Sequence, residues 1–317
     1  MSVGFDGDVV VITGAGRGIG REHAKLCAQL GARVVVNDAG VAVDGVQSEN
    51  PADLVVAEIR EAGGIAVASR HSIDDAKQAK EIVDLALDEF GDLHAVIHNA
   101  GILRDRTFHN LSDDDIERVM AVHLLGAFNV LRPAVTHMRE QRYGRIVLTS
   151  SASGILGTFG QSNYGAAKMG LIGLMNVLAI EGASRGILVN SLAPSARTRM
   201  TEELLGPLAD ALDPVHVAPL VAFLASRSCS VTHEIFAAGG GRYNPSYNRL
   251  EVWDGNSWIG LATHHVDLDP QIYEILDWAR ARMAEDRQLE ELCRKHPGLQ
   301  EAYDRFQIMR KLVKAEK

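Results

Sequence analysis

Short apolar segments and longer amphipathic segments alternate along the first 241 residues of the chain. The short segments are apolar at consecutive positions rather than at every second one, which is typical of parallel strands covered by helices on both faces. The seven predicted strands are Asp8–Thr13, Arg33–Asp38, Ile65–Ser69, His94–Asn99, Arg145–Ser150, Leu188–Ala193 and Glu234–Ala237.

Between these strands, apolar residues recur at helical spacing. The predicted helices are Gly18–Leu30, Pro51–Ala62, Asp75–Phe90, Asp113–Gln141, Ser162–Ser184 and Pro214–Ala225. Strands and helices in this alternation predict an α/β fold with a doubly wound, parallel, seven-stranded sheet of the Rossmann type.

The composition changes after Gly241. All three tryptophans and four of the six tyrosines lie beyond residue 240, and Asp269-Pro270 is typical of a helix start. We therefore divide the chain into a first domain at 1–241 and a helical, aromatic-rich C-terminal extension at 242–317. The extension is expected to cover a substrate site or a subunit interface, with passive packing on the sheet as the alternative.

Composition and charge exclude several classes of protein. The chain has 317 residues and a net charge of −9, and this acidic excess disfavours a nucleic-acid surface. No targeting signal is visible, and the first apolar run, Val9–Ile12, is far too short to span a bilayer. Three distant cysteines favour a reducing compartment, and no residues have metal-ligand spacing. We expect a cytoplasmic protein without metal, membrane or nucleic-acid partners.

A glycine-rich turn follows the first predicted strand and opens the first helix. Its glycines allow a tight turn that brings backbone N–H groups against a pyrophosphate at the positive end of the helix dipole. This placement between strand and helix predicts a dinucleotide site. The cofactor-binding candidates in the turn are Gly14, Arg17, Gly18, Ile19 and Gly20.

The end of the second predicted strand indicates which dinucleotide is bound. Asp38 follows the turn by about 20 residues, where a carboxylate accepts both ribose hydroxyls of NAD and repels the extra phosphate of NADP. Arg17 favours the opposite choice, because it could pair with that phosphate. We expect NAD, since Asp38 occupies the 2′ position itself.

The fourth predicted strand ends in small residues that suit a cofactor wall. Asn99, Ala100 and Gly101 would let the adenosine ribose lie against backbone, and the amide of Asn99 can tie neighbouring strands together. We interpret His98, which precedes them, as a packed strand residue rather than a ligand.

Three residues predict acid–base chemistry. Tyr164 and Lys168 are four residues apart and therefore share one face of a helix, and Ser151 ends the fifth strand. A neighbouring ammonium, together with the nicotinium charge, is expected to lower the tyrosine pKa toward working pH. Tyr164 would then exchange a proton with a substrate alcohol that Ser151 holds, and Lys168 would also bind the nicotinamide ribose.

Together these motifs resemble the short-chain dehydrogenase/reductase family over roughly residues 5–241. The family's TGxxxGxG turn stands at Thr13–Gly20, its NAG element at Asn99–Gly101, its serine at Ser151 and its YxxxK motif at Tyr164–Lys168. The resemblance implies a dinucleotide-binding catalytic domain at 1–241 and an enzyme acting on CH–OH groups. It also places Pro194, Ala196 and Thr198 in the nicotinamide-side loop.

A closer resemblance is to the (3R)-hydroxyacyl-CoA dehydrogenase part of the peroxisomal multifunctional enzyme type 2 group, also called 17β-hydroxysteroid dehydrogenase type 4. The stretches that carry it are Gly101–Arg106, Val122–Leu124, Tyr143–Ser153, Phe159–Tyr164 and Val217–Val221. It implies NAD-dependent oxidation of 3-hydroxyacyl-CoA in lipid metabolism by a homo-oligomer, a dimer or a tetramer.

The sequence departs from the wider family at several positions. His123 stands where much of the family has Asn, and it either orders a water for proton relay or has a structural role. His71 replaces an aspartate that touches adenine in the relatives, which puts that contact in doubt. Ser195 follows Pro194 where the relatives have glycine.

Three functions follow from these observations. The leading hypothesis is an NAD-dependent dehydrogenase for a secondary alcohol carried on an acyl-CoA. The second is the same chemistry on a steroid or another bulky alcohol, and the third is a non-catalytic dinucleotide-binding regulator. The four arginines considered for the CoA phosphates, each with a solvated loop charge as its alternative, are Arg104, Arg106, Arg197 and Arg199.

Overall fold

Seven parallel strands form the centre of the protein. The computed structural model describes residues 3–40, 50–196 and 212–239 in full, and the backbone of three short strands beyond them. The parallel strands lie in the order β3-β2-β1-β4-β5-β6-β7, which confirms the predicted doubly wound sheet. They are β1 (Val9–Thr13), β2 (Arg33–Asn37), β3 (Ile65–Ser69), β4 (Ala95–His98), β5 (Gly144–Thr149), β6 (Ile187–Ser195) and β7 (Ile235–Gly239).

Three short strands follow that the sequence analysis missed. β8 (Arg242–Pro245) pairs antiparallel with β7, and β9 (Glu251–Trp253) pairs antiparallel with β10 (Trp258–Gly260). Each has only three or four residues, which is too short for alternation to be recognised. The pairing of β7 with β8 crosses the proposed domain boundary between residues 241 and 242. The position of that boundary stays a prediction. The helices predicted beyond residue 269 lie outside the described residues.

Helices cover both faces of the sheet. Alternate residues of β1 explain its unbroken apolar run: Val10 and Ile12 belong to one core, and Val9 and Val11 belong to the other. The helices in chain order are α1 (Gly18–Gln29), α2 (Pro51–Glu61), α3 (Ala76–Phe90), α4 (Asp113–Met120), α5 (Gly126–Gln141), α6 (Ala152–Ile155), α7 (Ser162–Gly182) and α8 (Ala218–Ala225).

A π turn interrupts the helix predicted over Asp113–Gln141. It covers Ala121–Leu125, and the N–H of Gly126 bonds to the carbonyl of Ala121, five residues earlier. One extra residue is thereby inserted between α4 and α5. Such insertions are frequent at functional sites, and this one carries His123.

Two helical stretches, Asp113–Gln141 and Ser162–Arg185, are long and apolar enough to cross a membrane by composition, with mean hydropathy of 1.4 and 1.3. Both contribute side chains to the core on one face of the sheet, including Leu131, Met138 and Leu171. Apolar side chains of both stretches therefore pack against the sheet.

Candidate active site

A cleft of about 710 Å³ opens at the carboxyl ends of the parallel strands. The strand order reverses between β1 and β4, and such a switch point is where open α/β sheets bind ligands. Gly20 is not among the residues that line the cleft, and Thr198 lies outside the described residues. The other predicted site residues all line it: Gly14, Arg17, Gly18, Ile19, Asp38, Asn99, Ala100, Gly101, His123, Ser151, Tyr164, Lys168, Pro194 and Ala196.

The glycine turn is packed so tightly that side chains cannot be added. Gly14 has a φ of 62°, and a Cβ there would come within 2.6 Å of the Cα of Ala100. A Cβ on Gly20 would lie 2.1 Å from the carbonyl oxygen of Gly14. Gly20 therefore serves the close approach of turn and helix rather than a ligand contact.

Asp38 is held at the tip of β2 by backbone donors. Its Oδ2 accepts from the N–H of Gly16 at 2.9 Å, and its Oδ1 accepts from Gly40 at 2.9 Å. A Cβ on Gly16 would approach Oδ2 to 2.7 Å, so this glycine is needed, although the sequence analysis did not single it out. The cradle fits a nicotinamide dinucleotide, with pyrophosphate at the start of α1 and ribose at Asp38.

Thr13 joins β1 to the end of β4. Its Oγ1 accepts from the N–H groups of Asn99 at 3.1 Å and Ala100 at 3.2 Å. The side-chain amide of Asn99 donates to the carbonyl of Gly14 at 3.0 Å. The two strand ends that form the cofactor wall are therefore held together, as predicted for Asn99.

Ser151, Tyr164 and Lys168 lie together on one wall of the cleft. Ser151 caps α6, where its Oγ accepts from the N–H of Ser153 at 3.1 Å. The Nζ of Lys168 donates to the carbonyl of Thr149 at 2.6 Å and lies 5.5 Å from the centroid of the Tyr164 ring. The three side chains are therefore positioned by the loop between β5 and α6 and by the helix α7.

Burial controls the charges of this group. It lowers the pKa of Lys168 to about 7. It also raises the pKa of Tyr164 above its ordinary value; the Ser151 hydroxyl opposes that shift, and the Asp105 carboxylate adds to it. In the protein without dinucleotide, desolvation of the phenolate is thus the largest effect. The lowering of the tyrosine pKa by the ammonium together with the nicotinium charge stays a prediction.

His123 lies against Tyr164. Its ring meets the Tyr164 ring edge-on, with centroids 5.1 Å apart and planes at 90°. Its Nε2 is 2.8 Å from the carbonyl oxygen of Ile102. Burial and the nearby Lys168 hold the pKa of this imidazole well below its usual value, so the ring is neutral at working pH. Its role in proton relay stays a prediction.

The structure also locates the residues whose roles were uncertain. His71 lines the cleft, and its Nε2 lies 3.2 Å from the Glu81 carboxylate. Arg104 lines the cleft, whereas Arg106 pairs with Asp115 at 3.1 Å. Residues 197 and 199 lie outside the described residues.

One positioning residue carried no motif signal. Asn163, which precedes the catalytic tyrosine, donates to the carbonyls of Arg104 at 3.0 Å and Asp115 at 3.1 Å. It connects the start of α7 to the loop after β4 and the start of α4. Only the assembled fold identifies this connection.

The family profile described as short chain dehydrogenase matches residues 8–206, which is more than half of the chain. The chain belongs to the short-chain dehydrogenase family. It is therefore an oxidoreductase that acts on CH–OH groups with a nicotinamide dinucleotide.

Three relatives show how this family member compares with known proteins. It is 50% identical to mouse peroxisomal multifunctional enzyme type 2 over 75% of this chain but only 32% of that protein. It is 38% identical to hydroxyacyl-CoA dehydrogenase ChsB1 of Mycobacterium tuberculosis, over 80% of this chain and 85% of that one. A solved short chain dehydrogenase from Mycobacterium avium superposes with a TM-score of 0.69 and 39% identity, over 87% of this chain and 96% of that one.

Proposed function

We propose that this dehydrogenase transfers hydride between NAD and C3 of a (3R)-hydroxyacyl-CoA ester, the carbon that bears the hydroxyl group. The observation that carries the reaction is that Ser151, Tyr164 and Lys168 line the same cleft as Asp38. The relative named hydroxyacyl-CoA dehydrogenase supports the substrate class.

Each side chain of the proposed site has a defined task. Ser151 holds the substrate oxygen, and the phenol oxygen of Tyr164 takes or returns the hydroxyl proton. Lys168, which is buried at 3% exposure, presents its positive charge to that phenolate and to the ribose. The bound dinucleotide supplies the hydride acceptor and, when oxidised, a positive ring that favours phenolate.

An apolar rim, defined as Phe108, Leu156 and Phe159, supports an acyl substrate. These side chains are 80%, 74% and 89% exposed, which is unusual for large apolar residues. The loops that carry them are joined where the N–H of Arg106 donates to the carbonyl of Gly160 at 2.9 Å. One loop carries Phe108, which follows the cleft residue Arg104 in the chain. The other carries Leu156 and Phe159, which precede Tyr164.

The charges of CoA require local basic residues, because the chain as a whole is acidic. Arg104, which lines the cleft, is the candidate that the described structure favours for a CoA phosphate. Arg106 is a weaker candidate, since Asp115 already neutralises it.

A substrate series tests the proposal. Purified protein is given NAD with (3R)- and (3S)-hydroxyacyl-CoA esters of short and long chains, and NADH absorbance is followed. We expect the (3R) esters to react faster, with weaker binding at higher salt. Steroid alcohols that outperform every CoA ester would overturn the thioester assignment.

Rim variants sharpen the same assay. Phe159→Ser should lower kcat/KM for long-chain esters and leave short-chain esters unchanged, because only long chains reach the rim. Ile65→Ser is the matched control, since Ile65 is also exposed but begins the edge strand β3 at the amino end of the sheet, away from the cleft. Equal losses for both chain lengths would argue against acyl contact at the rim.

The choice of NAD is tested at Asp38. Asp38→Ala should weaken NAD binding about tenfold, the scale of hydrogen bonds to a charged group, and improve NADP binding. The measurement is dinucleotide titration without substrate. A wild-type protein that prefers NADP would contradict the assignment.

We also propose that the protein is a homo-oligomer. Large apolar side chains are exposed on the π turn, α5 and α7, and such a surface suits a second copy of the chain. Native mass measurement of the wild type and of Ile180→Glu tests this, with a smaller species expected for the variant. The exposed side chains are Leu125, Phe128, Met169, Val177 and Ile180.

A further inference from the structure

A continuous chain of buried polar contacts links the cofactor turn to the π turn, and His98 is its central member. His98 ends β4 and is 1% exposed; Thr13 and His123, on either side of it, are fully buried. The acid–base mechanism does not use the His98 ring. Its two nitrogens nevertheless both contact partners on different elements.

The first contact determines which nitrogen carries the hydrogen. Thr13 Oγ1 already accepts two backbone N–H groups, from Asn99 and Ala100, so its own hydrogen is free to be donated. The Nδ1 of His98 lies 3.4 Å away and accepts it. Nδ1 is therefore unprotonated, and the ring hydrogen is on Nε2.

The second contact uses that hydrogen. The Nε2 of His98 lies 3.2 Å from the carbonyl oxygen of His123 and donates to it. This carbonyl belongs to the π turn, where the regular helical register is interrupted. Side chains that bond to helix carbonyls at such interruptions fix the bend of the helix.

The π turn in turn positions the catalytic tyrosine. The His123 ring lies between Gly101 and Tyr164: a Cβ on Gly101 would come within 2.2 Å of its Cε1, and the ring centroids of His123 and Tyr164 are 5.1 Å apart. The imidazole has no room to move toward Gly101. A shift of the π turn would therefore change the position of the imidazole relative to the phenol ring of Tyr164.

We propose that His98 is a positioning residue, which holds the π turn through the His123 carbonyl and thereby couples the dinucleotide turn to the placement of Tyr164. The inference rests on the proposed acid–base role of Tyr164. It requires a neutral ring with one fixed tautomer. Burial and the charge of Lys168 lower the pKa of His98 to about 4, which keeps the ring neutral near neutral pH.

Two substitutions separate the contacts of His98. In His98→Asn, the amide oxygen replaces Nδ1 as the acceptor from Thr13, but the shorter side chain does not reach the His123 carbonyl. In His98→Gln, the amide nitrogen reaches that carbonyl. We expect kcat to fall about tenfold in His98→Asn with dinucleotide affinity unchanged, and to be largely restored in His98→Gln.

His23 provides a matched control. It is also a fully buried histidine, on α1, and neither of its ring nitrogens has a hydrogen-bond partner in the described residues. His23→Asn should change the Tm and leave kcat of the folded protein unchanged. Equal kcat values for His98→Asn and wild type, or equal losses in the Asn and Gln variants, would overturn the proposal.

Nitrogen NMR of labelled histidine provides a readout that is independent of activity. The wild-type His98 ring should show a protonated Nε2 at neutral pH, and the His123 signals should shift in His98→Asn. A protonated Nδ1 on His98 would overturn the hydrogen-bond chain even if both variants fail to fold. Unchanged activity of Tyr164→Phe would instead overturn the proposed acid–base role, and the NMR result would still stand.

Discussion

The two ends of the parallel sheet both bury charged and aromatic side chains, but they use them differently. At the amino end, Asp8 accepts from Arg227 at 2.7 and 3.1 Å. The guanidinium groups of Arg145 and Arg227 lie 4.4 and 4.6 Å from the centroid of the Tyr143 ring. Arg145 also donates to the carbonyls of residues 144, 186, 226 and 229.

At the carboxyl end, the buried cation has fewer partners. The ammonium of Lys168 donates to one carbonyl, that of Thr149. Buried atoms without a hydrogen-bond partner in the described residues occur at both ends: His123 Nδ1 and Thr149 Oγ1 here, and Asp8 Oδ2 and the Tyr143 hydroxyl at the amino end. The difference therefore lies in the cations, because an ammonium has three donors and Lys168 can offer the others to a ligand. The amino end therefore contributes stability, and the carboxyl end contributes chemistry.

The largest expected effect separates chemistry from stability at the carboxyl end. Tyr164→Phe removes only a hydroxyl, so the fold and dinucleotide binding should remain while kcat falls ~100-fold or more, the scale of general acid–base catalysis. NADH absorbance and thermal unfolding measure the two quantities. Retained turnover in a folded variant would remove Tyr164 from its role.

The opposite pattern is expected at the amino end. Arg145→Met leaves four carbonyls without this donor, and should lower the free energy of unfolding by about 3 kcal/mol, with kcat per folded molecule unchanged. Urea unfolding measures the loss. Arg139→Met is the control, because Arg139 makes one exposed contact, at 3.3 Å. A fall in kcat that parallels the stability loss would contradict the assignment of stability to the amino end and of chemistry to the carboxyl end.

A smaller effect is expected from His23, a buried histidine on α1 that belongs to neither of the two groups of residues compared above. Burial lowers the pKa of His23 to about 3, so below pH ~6.5 the unfolded chain binds a proton that the folded protein excludes. This group should therefore cost about 2 kcal/mol of stability as the pH falls from 7 to 5.

The variant His23→Leu isolates that contribution. It should lose less stability than wild type between pH 7 and pH 5, because it has no imidazole to protonate on unfolding. Urea unfolding at both pH values measures the difference. Identical pH dependence in the two proteins would show that His23 stays neutral in the unfolded chain or charged in the folded one.

Much of the sheet could be predicted because each local signal agrees with the fold. β1 has four consecutive apolar residues, Val9–Ile12, and both of its faces meet a core. The glycine turn after it was recognisable because few other structures need so many glycines between a strand and a helix. The Tyr164–Lys168 pair could be predicted from spacing alone, since four residues make one helical turn.

The rest depends on contacts that the linear pattern does not contain. The π turn in Asp113–Gln141 adds a single residue, and helical periodicity continues on either side of it. The direction of the Tyr164 pKa shift depends on burial by distant loops and on Asp105, 59 residues earlier in the chain. Neither the π turn nor the pKa shift can be recognised from the residue types at the positions concerned.

The packing of His123 on Gly101 also limits how the protein can evolve. A Cβ at position 101 would come within 2.2 Å of the imidazole, so even alanine is excluded while that ring is present. A lineage could therefore acquire a side chain at 101 only after it had exchanged His123 for a smaller residue. The order of these two substitutions is thus constrained: in one order the imidazole is already gone when the side chain at 101 is added, and in the reverse order the imidazole has to move.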